Sequence, residues 1–202
     1  MTIVVGITGG IGSGKSTFSG EVLKRGGKLL DSDKEVGVLY KNPKKEFIDH
    51  LKKIGLAKSI KNKKINKKII RDIIFDDKQI KSKLEKYIFK IIRKNRKNFI
   101  NKEKKIGTKT LFFDVPLLFE NNLKKDFDII ISIISTKKNR LKRLKFSKKM
   151  TKKTFKNILT FQTSDVIRKS KSDIVVYNNG TLEDFIKKTK IVLDRIMEWE
   201  RL

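Results

Sequence analysis

The chain has 202 residues, enough for one domain with small insertions, and 38% of them are hydrophobic, enough for a packed core rather than a disordered tail. It contains no cysteine and a single histidine, His50, which excludes disulfides, thiolate metal sites, cysteine nucleophiles and histidine-based catalytic triads. The formal net charge is +29, from 51 Lys and Arg against 22 Asp and Glu.

Apolar runs typical of buried strands alternate along the chain with segments of helical periodicity. In chain order we predict a strand at 2–8, a helix at 15–25, a strand at 28–31, a lysine-rich helical stretch at 43–105, strands at 110–115 and 128–134, helices at 137–146 and 151–163, a strand at 173–177, and a closing helix from 181.

Strands that alternate with helices predict an α/β protein with a parallel five-stranded sheet flanked by helices. The helical stretch between the second and third strands is too long for one crossover, so we interpret 41–106 as an insertion. The longest apolar run, near Ile129–Ile134, is far shorter than the roughly 20 residues that cross a bilayer. Because the opening also lacks the basic start of a signal peptide, we predict a cytoplasmic protein that binds no membrane.

The positive charge alone does not indicate a nucleic-acid-binding protein. Most of the basic residues are lysines spread along the chain, as over 61–68 and 137–153, without the interleaved aromatic residues that stack on bases. One Ala and two Pro beside abundant Lys and Ile are typical of an AT-rich coding sequence. We therefore predict no specific nucleic-acid partner and a positive field that attracts anionic ligands such as nucleotides.

The strongest motif is Gly-Gly-Ile-Gly-Ser-Gly-Lys-Ser at Gly9–Ser16, a full match to G-x-x-x-x-G-K-[ST] between a predicted strand and a predicted helix. In such a loop backbone N–H groups form an anion-binding nest, and the helix that follows offers its positive end. Lys15 supplies a cation to the β and γ phosphates, and Ser16 supplies a hydroxyl ligand to Mg²⁺. The motif predicts a P-loop NTPase fold that binds a nucleoside triphosphate through Gly9, Gly10, Ile11, Gly12, Ser13, Gly14, Lys15, Ser16 and Thr17.

Acidic residues end the second and third predicted strands. Asp31 and Asp33 point the same way in an extended segment, and the carboxyl ends of parallel strands are where ligands bind. One of these carboxylates could take a proton from an acceptor hydroxyl or hold the water shell of a metal. The alternative for Asp33 is the N-cap of a helix. Asp114 ends an apolar strand, a pattern that Walker B aspartates share with many buried strands.

The sequence resembles the dephospho-coenzyme A kinase family over about residues 3–190. The resemblance lies in Gly6–Thr17, in Leu30–Asp33, in the string Asp-Val-Pro-Leu-Leu-Phe-Glu at Asp114–Glu120, and in Ser172–Gly180. It implies one kinase domain over 1–202 with its core at 1–40, 107–143 and 166–202, a helical substrate-binding insertion at 41–106 and a small lid at 144–165. It also implies ATP-dependent phosphorylation of the ribose 3′-hydroxyl of dephospho-CoA, with Mg²⁺, in a monomer or weak oligomer.

The resemblance further implies roles for individual residues. Asp33 stands where the family has its presumed catalytic base, and Lys15 serves the phosphates. The family's lid arginine falls here on Ser147, so we expect Arg143, supported by Arg140, to reach the transferring phosphoryl group; Lys148 or Lys149 is the alternative. The residues expected to bind dephospho-CoA are Thr8, Asp31, Asp33, Arg71, Asp114, Pro116 and Leu117.

Two rival classes differ in their motifs. Shikimate and gluconate kinases also combine a P-loop with acidic residues after the second strand, but they lack the Pro-Leu-Leu-Phe-Glu string. A GTPase would need an N-K-x-D guanine signature, which the sequence lacks, and a nucleic-acid-dependent ATPase would need a basic and aromatic channel.

Overall fold

A computed structural model describes residues 1–146 and 151–198, apart from the side chains of Lys152 and Glu198. The chain divides into two compact units, one made of Met1–Asp31 with Lys102–Leu202 and the other of Ser32–Asn101. The helical insertion was expected at 41–106, whereas the second unit already begins at Ser32. The reason for the earlier start is local, because a helix follows the second strand without an intervening loop.

The bounds of the secondary structure are as follows for the described part of the chain. The strands are β1 Ile3–Gly9, β2 Lys28–Asp31, β3 Ile60–Lys61, β4 Lys64–Ile65, β5 Thr110–Asp114, β6 Ile129–Ile134 and β7 Ile174–Tyr177. The helices are α1 Lys15–Lys24, α2 Ser32–Lys41, α3 Lys45–Lys53, α4 Lys67–Asp76, α5 Lys78–Lys105, α6 Lys137–Phe146, α7 Lys152–Phe161, α8 Asp165–Lys171 and α9 Leu182–Glu198.

The first unit contains a parallel five-stranded sheet in the order β2-β5-β1-β6-β7, which confirms the predicted fold class. β5 is buried along its whole length and β6 along all but its first residue, as parallel strands covered on both faces are. Phe18 of α1 and Phe185 of α9 pack with Ile7, Phe112 and Ile131 of the sheet in one buried cluster. Because all five strands run the same way, their carboxyl ends meet at one edge, where ligands of such sheets bind.

The second unit consists of α2, α3, α4, most of α5 and a small hairpin. Its core gathers apolar residues from the helices and the loops between them: Phe47, Leu51, Ile54, Leu56, Ile70 and Leu84. The sequence indicated only helices here, but β3 and β4 pair antiparallel over two residues each. The turn between them is tight, with Asn62 and Lys63 at φ 50° and φ 60°.

One short helix of the first unit was not predicted. α8 has seven residues, too few for a periodic pattern to stand out, and Ser164 begins it by accepting a hydrogen bond from Ile167 N at 3.3 Å. Within the described residues, no helix combines the length and the apolar composition that crossing a membrane requires.

Candidate active site

The glycine-rich segment forms the loop between β1 and α1, the strand–loop–helix arrangement that the motif predicts. Gly12 and Gly14 have φ of 73° and 110°, values that residues with a side chain rarely adopt. α1 begins at Lys15 directly after Gly14, which has no side chain to cap the amide groups of the first turn. The loop and the helix therefore present backbone donors and a positive helix end at the carboxyl edge of the sheet, as phosphate-binding loops do.

Asp114 is buried at the end of β5, and two side chains of α1 bind its carboxylate. Lys15 Nζ forms an ion pair with Asp114 Oδ1, and Ser19 Oγ donates a hydrogen bond to Oδ2 at 2.7 Å. A carboxylate that is only 3% exposed needs such partners, because its charge would otherwise be desolvated without compensation. The pair holds the Lys15 ammonium at the edge of the sheet where the loop begins.

The register of the sheet places a second acid beside Asp114. Asp114 lies between two register partners, Asp31 at the end of β2 on one side and Ile7 of β1 on the other. α2 begins at Ser32, so Asp33 lies within the first helical turn rather than at the N-cap. Asp33 and Arg71 belong to the second unit. The role of Asp33 as the catalytic base and the binding of substrate by both residues stay predictions.

Three other residues expected to bind substrate lie near the ends of β1 and β5. Thr8 is buried, and its Oγ1 donates to the Pro116 carbonyl at 3.4 Å, so it links the two strand ends. Leu117 is 40% exposed, and its side chain is thus open to an apolar contact with a ligand. Their contact with dephospho-CoA stays a prediction.

The two arginines of α6 bind the backbone of the phosphate-binding loop. Arg140 Nε donates to the Ile11 carbonyl at 2.7 Å, and Arg143 Nη1 donates to the Gly12 carbonyl at 3.3 Å. Arg140 is 2% exposed and also pairs with Asp165 at 3.3 Å. Burial lowers the pKa of both guanidinium groups, and Asp165 opposes that shift for Arg140; arginine nevertheless stays charged in proteins.

Ser147, Lys148 and Lys149, the other candidates for the lid charge, lie outside the described residues. The direct contact of Arg140 or Arg143 with a transferring phosphoryl group stays a prediction, since both are bound to loop carbonyls in this structure.

Two further side chains reach the same loop. Gln162 follows α7, and its Oε1 accepts a hydrogen bond from Ile11 N at 3.0 Å. Asn178 follows β7, and its Nδ2 donates to the Ser13 carbonyl at 2.8 Å. Asn178 also accepts two hydrogen bonds from Arg143 Nη2, at 2.8 Å through its carbonyl and 2.9 Å through Oδ1.

A buried ionic cluster connects these segments to the end of the Pro-Leu-Leu-Phe-Glu string. Arg168 of α8 is 1% exposed and pairs with Glu120 at 2.7 Å and with Asp165 at 3.5 Å. Glu120 Oε1 also accepts a hydrogen bond from Thr163 N at 2.6 Å. The cluster thus ties α8 and the residues after α7 to the loop that follows β5.

Sequence reasoning missed the structural roles of Ser19, Asn178 and Arg168. Asn178 could have been found from its place just after a predicted strand, at the edge where ligands bind. Ser19 and Arg168 carried no signal, because a serine one turn into a helix and one cation among many are both ordinary.

Comparison with known proteins agrees with this geometry. A sequence model described as dephospho-CoA kinase matches residues 3–184. The chain belongs to the dephospho-CoA kinase family. A dephospho-CoA kinase of Fusobacterium nucleatum is 37% identical over 192 residues, covering 93% of this chain and 95% of the relative. One from the gamma-proteobacterium EBAC31A08 is 30% identical over 97% of this chain and 98% of the relative.

Solved structures show the same architecture. The dephospho-CoA kinase of Campylobacter jejuni has a TM-score of 0.76 and 25% identity, over 99% of this chain and 100% of its own. A shikimate kinase of Acinetobacter baumannii in complex with shikimate has a TM-score of 0.51 at 14% identity, over 98% and 94% of the two chains, which is a likeness of fold alone. This member of the dephospho-CoA kinase family is thus a transferase with the P-loop fold.

Proposed function

We propose that this chain transfers the γ-phosphoryl group of ATP to the ribose 3′-hydroxyl of dephospho-CoA, giving CoA and ADP in the last step of CoA biosynthesis. The observation that carries the proposal is the phosphate-binding loop with Lys15 held against Asp114, in a chain that matches the dephospho-CoA kinase family over residues 3–184. The substrate is a small molecule, and we propose a cytoplasmic monomer or weak oligomer without a specific nucleic-acid partner.

Phosphoryl transfer needs little covalent chemistry from the protein, so the residues act by position and charge. The loop amides and the N-terminal end of α1 bind the β and γ phosphates, and the Lys15 ammonium neutralises their charge. The ion pair with Asp114 keeps Lys15 in place before the nucleotide arrives. Asp114 in turn accepts a hydrogen bond from Ser19, so two side chains of α1 are bound to the carboxylate at the end of β5.

Mg²⁺ fits the donors that are present. Mg²⁺ prefers oxygen ligands and is commonly held by one or two protein groups together with substrate phosphates and water. Ser16, exposed at the start of α1, is such a donor. Among the described residues no group of three or more acidic, histidine or cysteine side chains could hold a metal ion. When bound, Mg²⁺ would neutralise charge on the β and γ phosphates.

Asp33 acts in the proposal as the base that accepts the proton of the 3′-hydroxyl. Asp31, Arg71, Thr8 and the segment Asp114–Leu117 bind and orient dephospho-CoA. Arg143, with Arg140, supports the transferring phosphoryl group when the lid over 144–165 closes.

An assay that couples ADP release to acceptor supply tests the proposal. ADP release is expected with dephospho-CoA and ATP, and only background release with shikimate or gluconate in its place. Release with shikimate but not with dephospho-CoA would contradict the acceptor. A titration with RNA at moderate salt is the second arm, in which we expect no steeply salt-dependent complex.

A further inference from the structure

We infer that Arg140, Arg143 and Asn178 are positioning residues that form a clasp on the phosphate-binding loop and hold its amide groups ready for the nucleotide. The inference rests on the proposed function only in taking the loop to bind nucleotide phosphates. Asn178 would hold the loop in position, and so would the two arginines before the lid closes. This role is distinct from contact with the transferring phosphoryl group.

Three consecutive loop carbonyls each accept a hydrogen bond from one clasp side chain. The Ile11 carbonyl accepts from Arg140, and the Gly12 carbonyl accepts from Arg143. The Ser13 carbonyl accepts from Asn178 Nδ2 at 2.8 Å. The donors come from α6 and from the end of β7, so two separate elements hold one short loop.

The planarity of the peptide bond turns these contacts into control of the amide groups. In a trans peptide the N–H points away from the carbonyl of the same unit. Arg143 holds the Gly12 carbonyl, and the N–H of Ser13 in the same peptide unit donates to the Gly10 carbonyl at 3.0 Å, so this unit fixes the shape of the loop. When Arg140 holds the Ile11 carbonyl, the N–H of Gly12 is directed to the opposite side, and Asn178 does the same for the N–H of Gly14. Amides fixed in this way need no reorganisation when phosphate binds, which is the source of strong electrostatic stabilisation.

The clasp side chains are themselves held firmly. Arg140 is 2% exposed and pairs with Asp165, and Asn178 is 5% exposed. Asn178 and Arg143 are joined by two hydrogen bonds, and Arg143 Nη1 also donates to Ser135 Oγ at 3.0 Å. Since each of the three side chains is also bound to a residue outside the loop, the clasp exists without nucleotide.

Two glycines of the motif make room for the clasp. A Cβ on Gly10 would run into the guanidinium of Arg140, and a Cβ on Gly14 would run into the Asn178 amide. At position 14 a glycine is also required by the φ of 110°. At position 10 the space taken by Arg140 is what requires a glycine. The loop sequence and the clasp therefore depend on each other.

Nucleotide binding and steady-state kinetics of matched variants test the clasp. We expect Arg143→Ala and Asn178→Ala each to weaken ADP binding about tenfold, the loss that one such hydrogen bond represents. The KM for ATP should rise in parallel, and the KM for dephospho-CoA should stay within about twofold. Lys142→Ala, which removes an exposed cation from the same helix, should leave ADP binding and the ATP KM unchanged and so controls for the net charge.

The Asn178 variant distinguishes positioning of the loop from direct phosphate binding, because the Asn178 side chain is neutral and cannot neutralise a phosphate. If Arg143→Ala lowers kcat but neither variant changes ADP binding, the clasp is overturned and Arg143 acts on the transferring phosphoryl group instead. Asn178→Leu keeps the side chain neutral and of similar size but loses the donor to Ser13; it should weaken ADP binding too, and it serves if Asn178→Ala does not fold. Wild-type protein that fails to bind ADP would contradict the proposed function itself, whereas normal wild-type turnover with unaffected variants would remove only the clasp.

Discussion

Lys15 at the start of α1 forms an ion pair with Asp114 at the end of β5, across 99 positions of sequence. The lysine of the loop is thus oriented by β5, which is the neighbour of β1, the strand that leads into the loop. This pairing explains why an acid at the end of an apolar strand matters here, which the strand pattern alone could not decide.

Lys15→Ala should reduce kcat by at least about 10²-fold, the loss expected when one preorganised donor is removed from a charged transition state. The fold should persist with a lower free energy of unfolding, because Ser19 still donates to Asp114 but the buried carboxylate loses its cation. Coupled ADP release measures kcat and circular dichroism monitors folding, with Lys142→Ala as the charge-matched control. Near-normal turnover of a folded Lys15→Ala protein would remove the P-loop assignment.

Asp33→Asn should lower kcat by about 10²–10⁴-fold, the range for general bases, with ATP affinity little changed. Asparagine keeps the size of the side chain but cannot accept the proton. The matched control is Asp72→Asn, an exposed acid on α4, for which kcat should hold. A kcat within about threefold of wild type for Asp33→Asn would mean that Asp33 only favours the first turn of α2.

Replacing Arg140 and Arg143 separately by Ala should lower kcat at least about tenfold for one of them, because a cation beside the transferring group contributes several powers of ten. Binding of dephospho-CoA, measured by calorimetry, should be nearly unchanged. If both single variants and the double variant turn over normally while Lys148→Ala or Lys149→Ala does not, a lysine of the lid has taken this role.

Glu120→Ala should reduce the free energy of unfolding by about 3 kcal/mol, because it removes the nearer of the two carboxylates that pair with the charge of buried Arg168. Urea unfolding measures the change. Glu85→Ala is the control, since Glu85 and Lys81 form a half-exposed pair 4.0 Å apart, and its loss should change stability by less than about 1 kcal/mol. Equal effects of both variants would show that Arg168 is sufficiently held by Asp165 and the Thr163 carbonyl.

The single histidine predicts a pH dependence of stability. His50 stacks on Tyr87 with ring centroids 3.8 Å apart, and burial lowers its pKa, assisted by Lys53 and opposed by a hydrogen bond with the Lys83 backbone. The folded chain therefore favours neutral imidazole. Its contribution to stability is complete above the unfolded pKa of about 6.5 and is lost as pH falls from there through the folded value.

An NMR titration of the His50 ring should give a midpoint below that of a histidine peptide. His50→Phe, which keeps an aromatic ring against Tyr87, should show a smaller decrease in unfolding free energy between pH 7.5 and pH 5.5 than wild type. A midpoint at or above the peptide value would contradict the effect of burial.

The sequence alone determined the nucleotide-binding loop, the five parallel strands and the family. The loop motif is local, with its glycines, lysine and serine close together in sequence, and most of the strands show as short, largely apolar segments because both faces of a parallel sheet are buried. Helix α2, helix α8 and the hairpin β3–β4 were not predicted, and the last two are too short to leave a clear pattern. α8 is too short for a periodic pattern, and the hairpin β3–β4 pairs only two residues on each side.

Only the tertiary structure decided what the cations near the loop contact. Arg140 and Asn178 lie far from Ile11 and Ser13 in sequence, and spacing along a helix says which face a side chain occupies but not which atom its donors reach. Among so many lysines and arginines, composition could not separate buried Arg140 and Arg168 from the solvated surface. Desolvation separates them, because a buried guanidinium requires fixed acceptors, and the fold supplies those acceptors from carbonyls and carboxylates of distant segments.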